Sequence, residues 1–260
     1  MVSRQACGRM KYDEDLKSWV ELQQRPTIEQ NRGLMHHSLL GSIRELEETP
    51  SSHQLKLLKV SLQEYTARQN SIVQDDTALE CGEHFLFWND HTSEISFDTP
   101  IKPEIYLQKD GYHNAQAPPD HLWTHRLWTA GSMIFHHDVL LNVPATCSEQ
   151  VTNIEAVDSV SCRITTQRQI TQAGMVKLTE FRTLTYTNRD LQDRTSRLAT
   201  PAALNSVITR FTPSRTLIMR YSALTSNSHR IHYDRDYALK QEGYRDVLIR
   251  CGITAIHYGL

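Results

Sequence analysis

The chain has 260 residues, enough for one large domain or two modest ones, and its 39% hydrophobic and 22% charged content is that of a folded globular protein. A formal charge of -2 argues against a general nucleic-acid binder, and no uninterrupted apolar run is long enough to cross a bilayer, so a soluble protein without nucleic-acid or membrane partners is expected. The five cysteines (Cys7, Cys81, Cys147, Cys162 and Cys251) are scattered and never spaced Cys-x-x-Cys, which disfavours a disulfide framework or zinc ribbon and points to a reducing compartment.

The N-terminus carries Arg4, Arg9 and Lys11 with no acid until Asp13, Glu14 and Asp15. That is the charge bias of a mitochondrial presequence, ended early; on the residues alone an ordinary disordered start is preferred. Residues 1–78 read as a polar, helical segment broken by Pro26, Gly33, Gly41 and Pro50. Leu55, Leu58, Leu62 and Tyr65 recur at spacings of three and four, one apolar stripe of a packing helix. From about Cys81 the texture changes, and Phe85-Leu86-Phe87-Trp88 has the length and aromatic content of a strand. A loop rich in breakers follows (Pro100, Pro103, Gly111, Pro118, Pro119), and then Arg126–Phe135 leads into β-rich stretches at 148–157, 158–171 and 175–187, with a hairpin turn at Gly174. In the last strand Val176, Leu178, Glu180, Arg182, Leu184 and Tyr186 share one side, Lys177, Thr179, Phe181, Thr183 and Thr185 the other. Neither side is cleanly apolar, as at a subunit interface or a pocket. Polar residues 190–205, with Pro201, read as a linker. Thr212 is expected to cap a helix begun by Pro213, and Asp234 a second, short helix ending near Glu242-Gly243.

Between those helices lies the chemically densest stretch, Arg220 to Asp234, in which Asn227, His229, Arg230, His232, Tyr233 and Asp234 are interrupted only by Ser228 and Ile231. Histidine titrates near neutrality, so such a cluster can serve as a proton donor and acceptor. The competing reading gives both histidines ordinary backbone bonds at a helix cap, and on the residues alone that reading is preferred. Metal binding is disfavoured. His229 and His232 point apart in an extended link, His36-His37 and His136-His137 are adjacent pairs, and neither has a nearby cysteine or a Glu-x-x-His pattern. The absence of a Gly-x-Ser-x-Gly elbow or a phosphate-cradling glycine loop disfavours a serine hydrolase or nucleotide-dependent enzyme.

The segment resembles the active-site stretch of hot-dog-fold hydratases and dehydratases that act on acyl thioesters. It is most similar to the fungal group of mitochondrial type 2 hydroxyacyl-thioester dehydratases and mesaconyl- or itaconyl-CoA hydratases. The broader family pattern is Asp-x-Asn-Pro-x-His, onto which His232 falls as the catalytic histidine, Asn227 as the aspartate and His229 as the asparagine. The fungal pattern, Asn-x-His-Arg-Ile-His, is matched directly. Gly82–Trp88 and Arg126–Phe135 extend the likeness, which covers roughly residues 79–250.

The resemblance implies an α+β double hot-dog: a helical segment at 1–78, a first unit at 79–190, a linker at 191–205, and the overhang of a truncated second unit at 206–260. It implies a hydro-lyase that interconverts a 3-hydroxyacyl and an enoyl thioester in mitochondrial fatty-acid synthesis, the alternative being a mesaconyl- or itaconyl-CoA hydratase. No cofactor is expected beyond the coenzyme A or acyl carrier protein that carries the substrate; assembly of like copies is compatible with this reading. Mitochondria are the implied compartment, the cytoplasm the alternative.

His232 is expected to move the proton, Asn227 to orient water or the hydroxyl, and His229 to be the second titrating group. Arg230, Tyr221 and Tyr233 are the expected substrate contacts, and a dicarboxylic substrate would find a cation in Arg126, Arg182, Arg220 or Arg230. The family continues after Tyr244 with an apolar run and Gly-Pro, where this chain has Cys251-Gly252 after Val247–Arg250. The expectation is an abrupt loss of match after Arg250 through a frame or splicing change, and an oxyanion-donor position filled by Cys251. An uncovered Leu217, Ile218 and Met219, and a chain that is inactive and poorly soluble or oligomeric as written, are expected with it. The reading from another class is a non-catalytic thioester-binding or interaction remnant.

Overall fold

The computed structural model describes residues 10–13, 18–21, 38–63, 65, 77–92, 105–119, 122–189, 212–249 and 252–253. Two short antiparallel strands, β1 (Met10–Asp13) and β2 (Ser18–Glu21), pair with each other. The main element is a five-stranded antiparallel sheet, in which β3 (Ile43–Glu48) pairs with β5 (Ala145–Asp158), then β6 (Ser161–Gln172), β7 (Met175–Thr187) and β4 (His125–Phe135) at the far edge. The expected β-rich stretches are therefore present, β5 longer than expected, β6 shorter at its start and β7 with the expected bounds. The β6–β7 hairpin turns at Ala173 and Gly174, both at positive φ (51° and 75°), as a tight two-residue turn between twisted strands requires.

The reading of residues 1–78 as helical is corrected by β1, β2 and above all β3, which lies in register against β5 from Ile43↔Gln150 to Glu48↔Ala145. The sheet thus begins well before residue 79. Within β3, exposed and half-buried residues alternate, with charge on both sides, so its period of two carries no apolar signal in the sequence. Helix α1 (Ser52–Leu62) is the expected packing helix. Ser51 caps it by accepting from the Gln54 amide at 3.4 Å, and Leu55, Leu58 and Leu62 are buried on the sheet. Burial of each leucine contributes about 2 kcal/mol.

The face under α1 is arranged in rows across the strands. Leu46, Cys147, Ile170 and Leu178 are successive cross-strand partners and belong to the core that holds α1. The next row on that face, two residues along every strand, is charged: Arg44↔Glu149↔Arg168↔Glu180. Beyond it a second apolar cluster gathers Val151, Ile154, Cys162, Ile164 and Tyr186 around Leu122 and Trp123. A charged row between two apolar clusters explains the mixed faces read in β7.

Phe85–Trp88 is not a strand. Glu83–Leu86 form a 3-10 turn entered through Gly82 (φ 86°), and the Phe85 and Phe87 amides donate to the Gly82 and His84 carbonyls at 3.2 and 3.1 Å. With their other polar groups met by the side chains of Gln54, Glu48 and Arg168, all four apolar residues are buried without a sheet partner; a short apolar run does not distinguish these cases by period. Helix α2 (Arg215–Leu224) is capped by Ser214 rather than Thr212, the Ser214 hydroxyl accepting from the Leu217 amide at 3.1 Å. Leu217 and Ile218, expected to be uncovered, are 2% and 5% exposed because α2 packs on α1; only Met219, at 58%, faces outward. Helix α3 (Arg235–Lys240) is capped by Asp234 as expected. The linker at 191–205 and Cys251 lie outside the described residues.

Candidate active site

The Thr225–Asp234 segment joins α2 to α3 and is held from both sides. Thr225 Oγ1 donates to the Tyr221 carbonyl at 2.8 Å, fastening the end of α2. Asn227 uses its side-chain oxygen to accept from the His229 amide at 2.9 Å, a local turn that sets the direction of the histidines. Residues Arg230–His232 then make a short 3-10 turn.

The other side is a hairpin tip in the loop between the 3-10 turn and β4. Gly111 N donates to the Gln108 carbonyl at 2.8 Å, Tyr112 N to Asp110 Oδ1 at 3.1 Å, and Leu107 bridges to His113. The tip docks by its backbone: the Asp110 carbonyl accepts from Arg230 N at 2.8 Å, and the Gly111 carbonyl from the Ser228 hydroxyl. Gly111 is required here. Its φ is 78°, and a β-carbon at this position would lie 2.3 Å from the Ser228 carbonyl oxygen.

This docking brings a buried polar cluster together. His229 and His232, 6% and 8% exposed, meet edge to face with ring centroids 5.3 Å apart. His232 Nδ1 lies 2.9 Å from the Leu248 carbonyl. A carbonyl only accepts, so in the neutral ring Nδ1 carries the proton and Nε2 is the basic nitrogen. His229 Nε2 lies 3.4 Å from Asp110 Oδ2, the oxygen that also faces Arg126 Nε at 3.3 Å. Arg126 further donates to the Gln108 side chain and, at 3.1 Å, to the His113 carbonyl, with its guanidinium against the Tyr112 and Trp123 rings. Although burial disfavours its charge, Asp110, Tyr186 and Tyr112 hold the Arg126 guanidinium above its ordinary value. Burial, reinforced by Glu242 and Asp110, pushes the Tyr237 hydroxyl far above the usual phenol range.

Beside the cluster, a cavity of about 60 Å³ opens on the sheet face, among its walls Arg44, Arg126, Glu149, Arg168 and Arg182. It shares Asn89, Asp90, Tyr112 and His113 with a smaller cavity that reaches Asn227 and Ser228. Its charges are paired: Arg44 with Asp90 (2.6 Å) and Glu149, Arg168 with Glu149 (2.5 Å) and Glu180 (3.3 Å), Arg182 with Glu180 (2.5 Å). Burial alone would raise the Glu180 carboxyl, but Arg182, His84 and Arg168 together hold it well below the usual carboxylate range; His113 and Arg44 do the same for Asp90.

The expected site residues divide accordingly. His229 and His232 are brought together, and Asn227 lines the smaller cavity while its carbonyl oxygen serves the backbone. Arg230 is bound to Asp234 at 2.7 Å and stacks on Tyr237. Tyr221 is 1% exposed within the core under α1, and Tyr233 is 55% exposed. Neither tyrosine lines either cavity. Of the arginines considered for a second carboxylate, Arg126 and Arg182 reach the larger cavity and Arg220 is exposed. Asp110, Tyr112 and His113 were not foreseen; the Asp110-Gly111 pair is a turn signal that marks the hairpin tip, but nothing local says where the tip docks.

Two of the curated relatives and one of the solved structures that resemble the chain illustrate the likeness. The mitochondrial hydroxyacyl-thioester dehydratase type 2 of Saccharomyces cerevisiae is 27% identical over 213 residues, 77% of this chain and 70% of that protein. The mesaconyl-C(4)-CoA hydratase of Chloroflexus aurantiacus is 28% identical over 162 residues, 60% of this chain and 58% of that protein. A MaoC-like dehydratase from Phytophthora capsici has a similar fold, with a TM-score of 0.54 at 14% identity over 82% of this chain and 70% of that one. The family model for hydroxyacyl-thioester dehydratase type 2 matches residues 82–257, running past Arg250 and Cys251, where the match was expected to break off. With most of the chain matched, from the 3-10 turn through the histidine segment, the protein belongs to the hydroxyacyl-thioester dehydratase type 2 family.

Proposed function

We propose that the chain is a hydro-lyase that interconverts 3-hydroxyacyl and enoyl thioesters, carried by acyl carrier protein or coenzyme A, with His232 as the proton-transfer group. The observation that carries this reading is the pair of buried imidazoles in edge-to-face contact, on the one segment where the sequence concentrates titratable groups. Dehydration removes a weakly acidic α-proton and protonates a departing hydroxyl, and an imidazole at neutral pH can do either. Asn227 orients water or the hydroxyl through its amide nitrogen, its oxygen being committed to the backbone. His229 is the second titrating group, and Arg230, Tyr221 and Tyr233 are the proposed contacts to the carrier or acyl chain.

The described sheet and α1 account for one hot-dog unit, and residues 212–249 are read as the overhang of a second, in a double hot-dog chain. Mitochondria are the proposed location, in keeping with the name of the Saccharomyces cerevisiae relative.

A second reading, hydration of a mesaconyl- or itaconyl-type thioester, is favoured by the charged cavity. Its walls suit a short polar acyl group better than an alkyl chain, and Arg126 and Arg182 stand at its surface. The test is turnover of crotonyl-, mesaconyl- and itaconyl-thioesters followed at the enoyl absorbance. Crotonyl turnover alone supports the first reading, and preference for the dicarboxylic substrates the second. Thioester binding without any turnover refutes both and favours a non-catalytic remnant.

A further inference from the structure

The histidine segment contains no carboxylate before Asp234, and Asp234 is engaged in capping α3 and pairing with Arg230. The carboxylate that reaches the histidines comes instead from a remote part of the chain. Asp110, fully buried at the hairpin tip, directs Oδ2 at His229 Nε2 across 3.4 Å. At that length the contact is electrostatic rather than a formed hydrogen bond, as is common for catalytic pairs before substrate binds. Arg126 flanks the same oxygen, and the tip is fastened to the segment on either side of His229 through Ser228 and Arg230. The pairing is thus built by backbone docking, not by chance proximity of two flexible side chains.

Resting on the hydro-lyase reading above, we infer that Asp110 is a positioning residue that holds His229 with its proton on Nε2, leaving Nδ1 as the ring's proton-accepting nitrogen. A carboxylate at Nε2 favours the tautomer that points an N–H at it. His232, tied through Nδ1–H to the Leu248 carbonyl, is held in the opposite tautomer with Nε2 basic. Both N–H groups are then committed to the protein, and each neutral ring offers its other nitrogen as a base; donation to a departing hydroxyl comes from a ring that has first taken up a proton. Among the described residues, the groups that face His229 include Asp110 and Tyr112 of the hairpin, Arg126 of β4 acting through Asp110, and His232 of its own segment. Tyr237 of α3 feels the Asp110 charge and Glu242 that of Arg126.

The test uses the full chain with nitrogen-15 in its histidines, His229 being identified by the signals lost in His229→Gln. Long-range proton–nitrogen correlation spectra read the tautomers directly. The unmodified protein is expected to show Nε2–H for His229 and Nδ1–H for His232. Asp110→Asn keeps an acceptor but removes the charge, so His229 should titrate about one pH unit lower while His232 keeps its tautomer. In turnover, the acid limb of the kcat/KM profile should move down by a similar amount, which a merely structural role of Asp110 would not cause. An Nδ1–H tautomer at His229 in the unmodified protein overturns the inference, and this result does not depend on Asp110→Asn folding. An unchanged His229 titration in folded Asp110→Asn overturns it as well. A chain that shows both spectroscopic signatures but hydrates no thioester refutes the hydro-lyase reading and leaves the Asp110–His229 pairing standing.

Discussion

Replacing Arg168 with methionine removes the hub of the charged row while keeping most of its apolar stem. The guanidinium bonds Glu149 at 2.5 Å, Glu180 at 3.3 Å and the Trp88 carbonyl at 2.7 Å, and the residue is 2% exposed. Breaking a buried pair of this kind costs 3–5 kcal/mol, and because Glu149 keeps Arg44 and Glu180 keeps Arg182, the expected loss is at the lower end, about 3 kcal/mol. For a chain of this size that corresponds to a fall in Tm of roughly 6 to 12 °C. The loss should depend on pH in a defined direction. Burial opposes ionisation of Glu149 and Glu180, but in the intact row their neighbouring guanidiniums hold both carboxyls below their ordinary values. They therefore contribute stability above the ordinary glutamate pKa of about 4.3, lost as pH falls below it through the folded values. Without Arg168 only part of that lowering remains, from Arg44 on Glu149 and from Arg182 and His84 on Glu180, so the variant has less of this stability to lose on acidification. The difference between the two proteins, measured from urea midpoints, should be largest near pH 7 and smaller near pH 4. A loss under about 1 kcal/mol, the worth of an exposed pair, or a loss that does not shrink on acidification, refutes the claim that the row is a buried electrostatic unit.

His232→Ala should lower kcat by at least about a hundredfold with little change in substrate affinity; near-normal turnover would move His232 to the role of a helix-cap residue. Asn227→Asp keeps the oxygen that accepts from the His229 amide and Asn227→Ala does not, so thermal melts should rank alanine as the less stable by about 1 kcal/mol. Both variants lack the amide nitrogen assigned to orient water, so both should lower turnover; near-normal turnover of folded Asn227→Asp means that the orienting-amide role fails. Gly111→Ala forces a β-carbon onto the Ser228 carbonyl at positive φ and should cost at least about 1–2 kcal/mol, with turnover falling as the tip lifts from the histidines; unchanged stability and turnover would contradict the docking geometry.

The elements most readily read from the sequence were those whose cause is local. The α1 stripe, the Ala173-Gly174 hairpin and the Asp234 cap each depend on spacing or turn chemistry within a few residues. The edge strand β3 was missed because its inward residues, Arg44, Leu46 and Glu48, are two-thirds charged and only their partners in β5 reveal the pairing. Phe85–Trp88 was misread because an apolar run buried by neighbours on all sides has no period to detect. The same division runs through the site. His229 and His232 announce themselves in one segment, whereas Asp110 and Arg126 reach them only through tertiary docking of a loop from the first half of the chain.

Gln54 of α1 gives the site a dependence of another kind. Its side-chain amide donates to the Leu224 carbonyl at 2.8 Å, at the last residue of α2, and also faces the Leu86 carbonyl at 3.4 Å. One side chain thereby links the helix that rests on the sheet, the 3-10 turn and the point where the chain leaves α2 for the histidines. The histidine segment has little regular structure of its own, so its order derives from the pieces it docks on. Local opening of the segment should then be governed by the docking of α2 on α1, and its amides should exchange with solvent when that joint parts, well before the sheet itself unfolds.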